Sequence, residues 1–159
     1  MQIAYLVDHP EYVDTLAPWL HAQWGWFTQG STLETRRAAL EKQLNRDALP
    51  IALVAHEENT PLGTACLRVN DMDTRPDLTP WLASVYVAPD ARARGIGTEL
   101  VAAIEREAQR LGFERLHLIT FDAAGYYAKR GWTELERTLY RDEPVVVMWK
   151  SLSGAQRQE

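Results

Sequence analysis

The stretch that most limits how this chain can fold is Val87-Ala88-Pro89 followed by Arg92-Ala93-Arg94-Gly95-Ile96-Gly97, where an apolar run gives way to a long amphipathic one. Trp81 to Val87 reads as a strand that must stop by Pro89, which has no N–H for a ladder. Beyond the glycines, Ile96, Leu100, Val101, Ile104, Ala108 and Leu111 recur on one stripe, which predicts a helix over 95–111 capped by Gly112. Leu116 to Phe121 is the next apolar strand, so the centre of the chain implies two parallel strands joined by a right-handed crossover. The turn itself carries chemistry. Two glycines let backbone N–H groups converge at a helix start, whose partial positive charge makes a seat for an anion such as a pyrophosphate, with Arg92 and Arg94 beside it. The spacing lacks the third glycine of a dinucleotide fold and the Lys-Ser/Thr of a P-loop, which disfavours NAD and nucleoside triphosphates. The alternative is a glycine-softened helix start beside solvated arginines.

Around this junction the chain alternates. Gln2 to Val7 reads as a strand and 10–24 as a helix with Pro18 as a kink or break. Ser31 or Thr32 caps a second helix, Glu34 standing at capping-box distance from Ser31, and Leu33, Arg37, Leu40 and Leu44 keep the helical interval up to the stop at Pro50. Ile51 to His56 and Leu62 to Val69 form an antiparallel hairpin, and 70–80, with three aspartates and two prolines, reads as an exposed loop. A short helix over 123–130 ends at Gly131, and 132–140 with 145–150 makes a last hairpin. The predicted fold is an α/β mixed, mostly antiparallel sheet with a central parallel pair, in the order β-α-α-β-β-β-α-β-α-β-β.

At 159 residues, 46% hydrophobic and 25% charged, the chain is expected to be one globular domain over 1–150 with a polar tail over 151–159. A net charge of −5 argues against a nucleic-acid partner, and no apolar run is long enough for a membrane span. One cysteine, Cys66, supports neither a disulfide nor a Cys-ligated metal, which fits a cytoplasmic protein without a structural metal.

Val87-Ala88-Pro89 with Arg92-x-x-Gly95-x-Gly97 and its long helix resembles the acetyl-CoA motif of the GNAT superfamily of N-acetyltransferases. Ala123-Ala124-Gly125-Tyr126-Tyr127-Ala128-Lys129-Arg130-Gly131-Trp132 resembles that superfamily's second signature, Phe-Tyr, three residues, then Gly-Phe. The resemblance implies acetyl-CoA as co-substrate and a small-molecule or peptide amine as acceptor, in a monomer or homodimer. It implies that the strands at 81–87 and 116–121 splay to admit the pantetheine arm. Backbone groups of Val85, Tyr86 and Val87 then bond that arm, and the pyrophosphate lies on Arg92, Ala93, Arg94, Gly95, Ile96, Gly97 and Thr98.

Acyl transfer from a thioester needs a neutral amine, stabilisation of the oxyanion and a proton for the departing thiolate. Tyr127 matches the superfamily tyrosine aimed at the thioester sulfur and is the candidate acid, with a phenol pKa expected near that of the thiol. Packing under the helix is its alternative, and burial is expected of Tyr126. Thr120 stands where relatives carry an asparagine that contacts coenzyme A, a departure from the pattern, and Asp122 reads as the N-cap of the short helix. Strand alternation puts His117, Ile119 and Phe121 on one face, making His117 a candidate base or else a satisfied core histidine. Asp71, Asp73 and Asp122 are candidate acceptor carboxylates, and Trp24, Trp26 and Phe27 lie where relatives build an acceptor wall. Leu116-His117-Leu118 with Thr120, Asp122 and Tyr127 is also similar to protein N-terminal acetyltransferases, a second reading. A non-catalytic acyl-CoA-binding module is a third.

Overall fold

The computed structural model describes residues 1–152, which divide into two compact units: 1–67 with 84–104, and 68–83 with the chain from 105 onward.

In the first unit β1 (Gln2–Tyr5) is shorter than the expected strand to Val7, because Leu6 turns inward, fully buried, and opens a 3-10 turn closed by the His9 N–H on the Leu6 carbonyl. A second 3-10 turn, Pro10–Tyr12, leads into α1 (Val13–Trp24). Pro18 does not break α1. It sits on the exposed face, where solvent can satisfy the carbonyl one turn back that the missing N–H leaves unbonded. Leu16, Ala17 and Leu20 of α1 join Leu6, Tyr12, Leu40, Ala52 and Val54 in one core. The cap of α2 (Leu33–Glu41) is Thr32 rather than Ser31: Thr35 N–H donates to Thr32 Oγ1 at 3.1 Å and Thr32 N–H to Thr35 Oγ1 at 2.9 Å. Glu34 takes no part in that box, and α2 stops before Leu44. Next, β2 (Ile51–Glu57) and β3 (Thr60–Arg68) pair antiparallel through a two-residue turn, Glu58-Asn59, with both φ angles positive, the twist a tight hairpin prefers. β4 (Trp81–Val87) ends in this unit, where α3 (Ile96–Arg110) begins.

In the second unit Gly112, at φ +92°, ends α3 as expected, with Phe113 N–H reaching back to Ala108. β5 (Arg115–Thr120) runs parallel to β4 at Trp81↔His117 and antiparallel to β7 (Glu143–Ser151). α4 (Ala124–Ala128) precedes β6 (Thr133–Tyr140), which pairs with β7 across Arg141-Asp142, again both at positive φ. Ordered structure passes residue 150: Ser151 belongs to β7, and the Leu152 N–H donates to the Glu114 carbonyl. The remainder of the expected tail, 153–159, lies outside the described residues.

The segment 70–80 is not the freely exposed loop its composition suggests. Met72 is buried, Arg75 pairs with Asp77 and Glu136, Asn70 Nδ2 donates to the Arg75 carbonyl, and the Asp73 N–H donates to the Tyr140 hydroxyl. Asp71 and Asp77 have arginine partners only two or three residues away, Arg68 and Arg75, whereas the longer ties of the segment, from Arg75 to Glu136 and from the Asp73 N–H to Tyr140, cannot be read locally. The strands follow the order β1-β2-β3-β4-β5-β7-β6, with β4 and β5 the parallel pair, and the element order is the one predicted.

Candidate functional site

The glycine turn is built within the first unit. Ser84 takes φ +56° in the middle of β4, a left-handed residue that bends a strand, just before Val85, Tyr86 and Val87. The chain then leaves β4 through Ala88, whose N–H donates to the Leu62 carbonyl at 2.8 Å, and a 3-10 turn at Pro89–Ala91. Arg92 is extended, while Ala93 (φ +67°) and Gly95 (φ +79°) are both left-handed. Glu99 N–H bonds the Gly95 carbonyl, so α3 starts here with Ile96, Gly97 and Thr98 in its first turn, and the amides of Ile96 and Gly97 have no carbonyl one turn back within the helix. Ile96 is buried, leaving only its backbone for this role. A Cβ built at Gly95 meets nothing within 4 Å, and one at Gly97 meets only Val87 Cγ2 at 3.6 Å. Packing inside the protein therefore does not demand a glycine at 97. The open space beside Gly97, at the start of α3, is compatible with an anion approaching the first amides of the helix, and in that respect the residues fit a pyrophosphate.

The two arginines of the turn are held differently. Arg92 Nε donates to the Val87 carbonyl at 2.9 Å and its guanidinium lies 5.5 Å from the Tyr86 ring centroid. Arg94 Nη2 donates to Glu57 Oε2 at 2.8 Å, and the Met1 amino group is 3.5 Å from the same oxygen. The Arg94 guanidinium holds the Glu57 carboxyl below its ordinary range. The Tyr86 ring is also packed by Trp19 (5.7 Å) and, edge-on, by Trp24 (6.3 Å), so Trp24 is joined to the turn through Tyr86. Trp26 and Phe27 form a separate edge-to-face pair, with Trp26 59% exposed and its Nε1 donating to the Gln23 carbonyl.

In the second unit Tyr127 stands on α4 between Tyr126 (5.1 Å) and Trp132 (5.9 Å), both edge-on. Burial, with a smaller contribution from Tyr126, pushes its phenol up to about 12. That moves it away from the range of a thiol, contrary to the expectation of matched values, and keeps the hydroxyl protonated at any physiological pH. Tyr126 is only half-buried and carries the Arg130 guanidinium 3.7 Å from its ring centroid. Asp122 is not the N-cap of α4. Ala123 holds that position without a side-chain cap, and the Ala123 N–H donates to Thr120 Oγ1 at 2.9 Å. Thr120, read from sequence only as a departure from a pattern, fixes the entry to α4, and Asp122 is left exposed. A hydroxyl three residues before the N-cap of a short helix was the signal for it.

His117 is 4% exposed, with Nδ1 3.0 Å from the Pro80 carbonyl and its ring against Trp81. A carbonyl only accepts, so Nδ1 carries the hydrogen; burial pushes the imidazole below its ordinary value. Alternation does not single it out, because Leu116, Leu118 and Thr120 on the other face are buried as well. Asp71 pairs with Arg68 at 2.9 Å, and the Asp73 carboxylate is exposed, 3.8 Å from Arg141. Among the described residues no group of three His, Cys, Asp or Glu side chains is placed to hold a metal, and no helix is long and apolar enough to cross a membrane.

Comparison with known proteins gives one family and a consistent set of folds. The profile described as "Acetyltransferase (GNAT) family" matches residues 13–132. Among solved structures, an aminoglycoside 6'-acetyltransferase type Ii is similar at a TM-score of 0.75 and 21% identity, covering 96% of this chain and 97% of that one. An aminoglycoside 6'-N-acetyltransferase complexed with coenzyme A gives 0.75 and 18%, with 96% and 97% covered. A ribosomal-protein-alanine N-acetyltransferase from Brucella melitensis gives 0.70 and 24%, with 95% and 99% covered.

Proposed function

The chain belongs to the GNAT acetyltransferase family, and from that premise we propose that it moves an acetyl group from acetyl-CoA directly to a primary amine, both substrates being bound together. The observation that carries the reading is the turn in which Ala93 and Gly95, both left-handed, deliver the chain to the first amides of α3. Those amides, with Arg92 and Arg94, take the pyrophosphate of coenzyme A, and backbone groups of Val85, Tyr86 and Val87 take the pantetheine arm. The cofactor supplies the activated thioester. Tyr127 holds a proton at Oη for the sulfur as negative charge develops there. With a phenol raised to about 12, Tyr127 acts as a hydrogen-bond donor that stabilises the departing thiolate and keeps its own proton, the thiolate taking its proton from water. His117, its Nδ1–H engaged on Pro80, ties the start of β4 to β5, and the proton of the attacking amine leaves to water.

A small cationic amine is the acceptor this reading favours. Support comes from the similarity to aminoglycoside acetyltransferases and from the exposed carboxylates of Asp73 and Asp122; Trp24 on the Tyr86 ring and the separate Trp26–Phe27 pair are further aromatic surfaces of the kind an amine can meet. Asp71, neutralised by Arg68, acts by fixing its loop. Similarity to the ribosomal-protein-alanine enzyme favours a peptide N-terminus as the second reading.

The test is a thiol-release screen of acetyl-CoA against polyamines, aminoglycosides and short peptides, alongside melting curves. Acetyl-CoA at 100 times its Kd is expected to stabilise the fold by about 2.7 kcal/mol. NAD and ATP are expected to do nothing. No melting response to saturating acetyl-CoA sinks the proposal, and turnover of peptides alone moves the acceptor to the second reading.

A further inference from the structure

The two arginines beside the amide cradle are not equivalent, and the difference lies in what already occupies them. Arg92 is braced by a neutral carbonyl and an aromatic face, neither of which brings a charge that competes with an anion for the guanidinium. Arg94 is bound at 2.8 Å to a carboxylate, so a phosphate that needs this guanidinium meets an anion already on it. The carboxylate belongs to Glu57, the last residue of β2, where the Glu57↔Thr60 pair and the tight turn at Glu58-Asn59 fix the backbone. Arg94 is bracketed by left-handed residues on both sides, which fixes its own backbone equally well. Both side chains are about half exposed, 45% for Arg94 and 40% for Glu57, so the contact is an exposed ion pair of small worth and neither group is needed to bury the core.

Resting on the reading of this turn as the coenzyme A seat, we propose that Glu57 is an affinity-setting residue: it holds Arg94 in the free protein and yields it to a cofactor phosphate by exchange. The multiply charged phosphate wins because it brings more negative charge and more acceptor oxygens to the guanidinium than one carboxylate does. Because the Arg94–Glu57 pair has to break before the phosphate can take the guanidinium, the carboxylate lowers cofactor affinity through Arg94 alone and without touching the cofactor. Glu57 is a positioning residue in this account, acting through Arg94.

The experiment is titration calorimetry with coenzyme A on the full chain, comparing wild type, Glu57→Gln, Arg94→Gln and the double variant at low and high salt. Glu57→Gln is expected to tighten binding about two- to five-fold at low salt, the range an exposed ion pair commands. The gain should shrink as salt screens the competing charge. Arg94→Gln should weaken binding, and adding Glu57→Gln to it should give no further change, the non-additivity of two residues in one contact. A gain in affinity is a result that a merely structural Glu57 does not produce. Weaker or unchanged binding in Glu57→Gln overturns the proposal while leaving the cofactor seat intact, provided Arg94→Gln loses affinity. A gain that persists in the Arg94→Gln background overturns the exchange and leaves simple repulsion. No binding heat for wild type overturns the seat and the proposal together.

Discussion

The rings of Tyr127 and Trp132 meet edge to face with centroids 5.9 Å apart, and the Trp132 N–H donates to the Tyr127 carbonyl at 3.1 Å. Between them Gly131 takes φ +94°, which reverses the chain after α4 and brings the indole back under the phenol. The spacing Tyr-x-x-x-Gly-Trp is thus a closed loop in which the residue that ends the turn packs the residue that begins it. Tyr127 is held by its neighbours on α4 and by its own downstream sequence.

Gly131→Ala tests that closure. An L residue at this φ costs about 1–2 kcal/mol, and the new Cβ would come within 3.3 Å of Lys150 Cε. Lys150 cannot swing away freely, because its Nζ is tied to Glu105 and to the Arg130 carbonyl. Urea denaturation should show a loss of at least that size, with activity falling further than stability as α4 shifts. Unchanged stability would show that the turn relaxes without strain.

Gly97 gives the opposite expectation. A methyl group there meets only Val87 Cγ2 at 3.6 Å, so Gly97→Ala should melt at the wild-type temperature or slightly above, Ala being the better helix former. Coenzyme A affinity should nevertheless fall, and Gly97→Glu should abolish it. Wild-type affinity in Gly97→Glu would place the pyrophosphate elsewhere.

Stability should fall on mild acidification. Burial pushes the imidazoles of His56 and His117 below their ordinary value, which is about 6.5. The unfolded chain therefore takes up these protons first, so their contribution is complete above about pH 6.5 and is lost as pH drops through the depressed folded values. Around His56 stand His9 and the Met1 amino group, which oppose its charging, and Glu11, which favours it. Both His56 ring nitrogens are buried without a protein partner, so His56→Phe removes a desolvated polar group and should flatten the profile between pH 6.5 and 5. Denaturation free energies that are level across that window in the wild type would contradict this account.

Much of this was legible in the sequence because it rests on local rules. The stripe from Ile96 to Ala108 and the left-handed Gly112 are each set by residues within one turn of one another and stand as read, whereas the turn before α3 is made by Ala93 with Gly95, Gly97 lying inside the helix. The misreadings involve distant partners or two adjacent equivalents. Thr32 and Ser31 are both acceptable caps, and only the reciprocal bond to Thr35 decides between them. Asp122 lost the N-cap of α4 to a chain path set by Thr120. The segment 70–80 read as an exposed loop until the fold brought Tyr140 onto the Asp73 N–H and Glu136 onto Arg75. Glu57 was invisible as a site residue because 37 positions separate it from Arg94.

The sharpest expectation concerns the Tyr127 hydroxyl. Tyr127→Phe keeps the ring that packs against Trp132 and deletes only the hydroxyl, so folding and coenzyme A affinity should hold while kcat drops. Loss of a preorganised donor to developing negative charge is worth about 10²–10³-fold, and the drop should fall there if chemistry limits turnover. The pH dependence separates this role from an ordinary acid matched to the thiol. With the phenol pushed up to about 12, the wild-type rate should climb as the amine loses its proton and then stay level through pH 10. An alkaline decline near pH 9 that disappears in Tyr127→Phe would mean that the phenol titrates far below that value and transfers its proton outright. Single-turnover acyl transfer at the wild-type rate in Tyr127→Phe would remove the tyrosine from the chemistry. Equal losses in Tyr127→Phe and Tyr126→Phe would trace the effect to the packing of α4, since the Tyr126 ring is held by Arg130 and by Tyr127 itself.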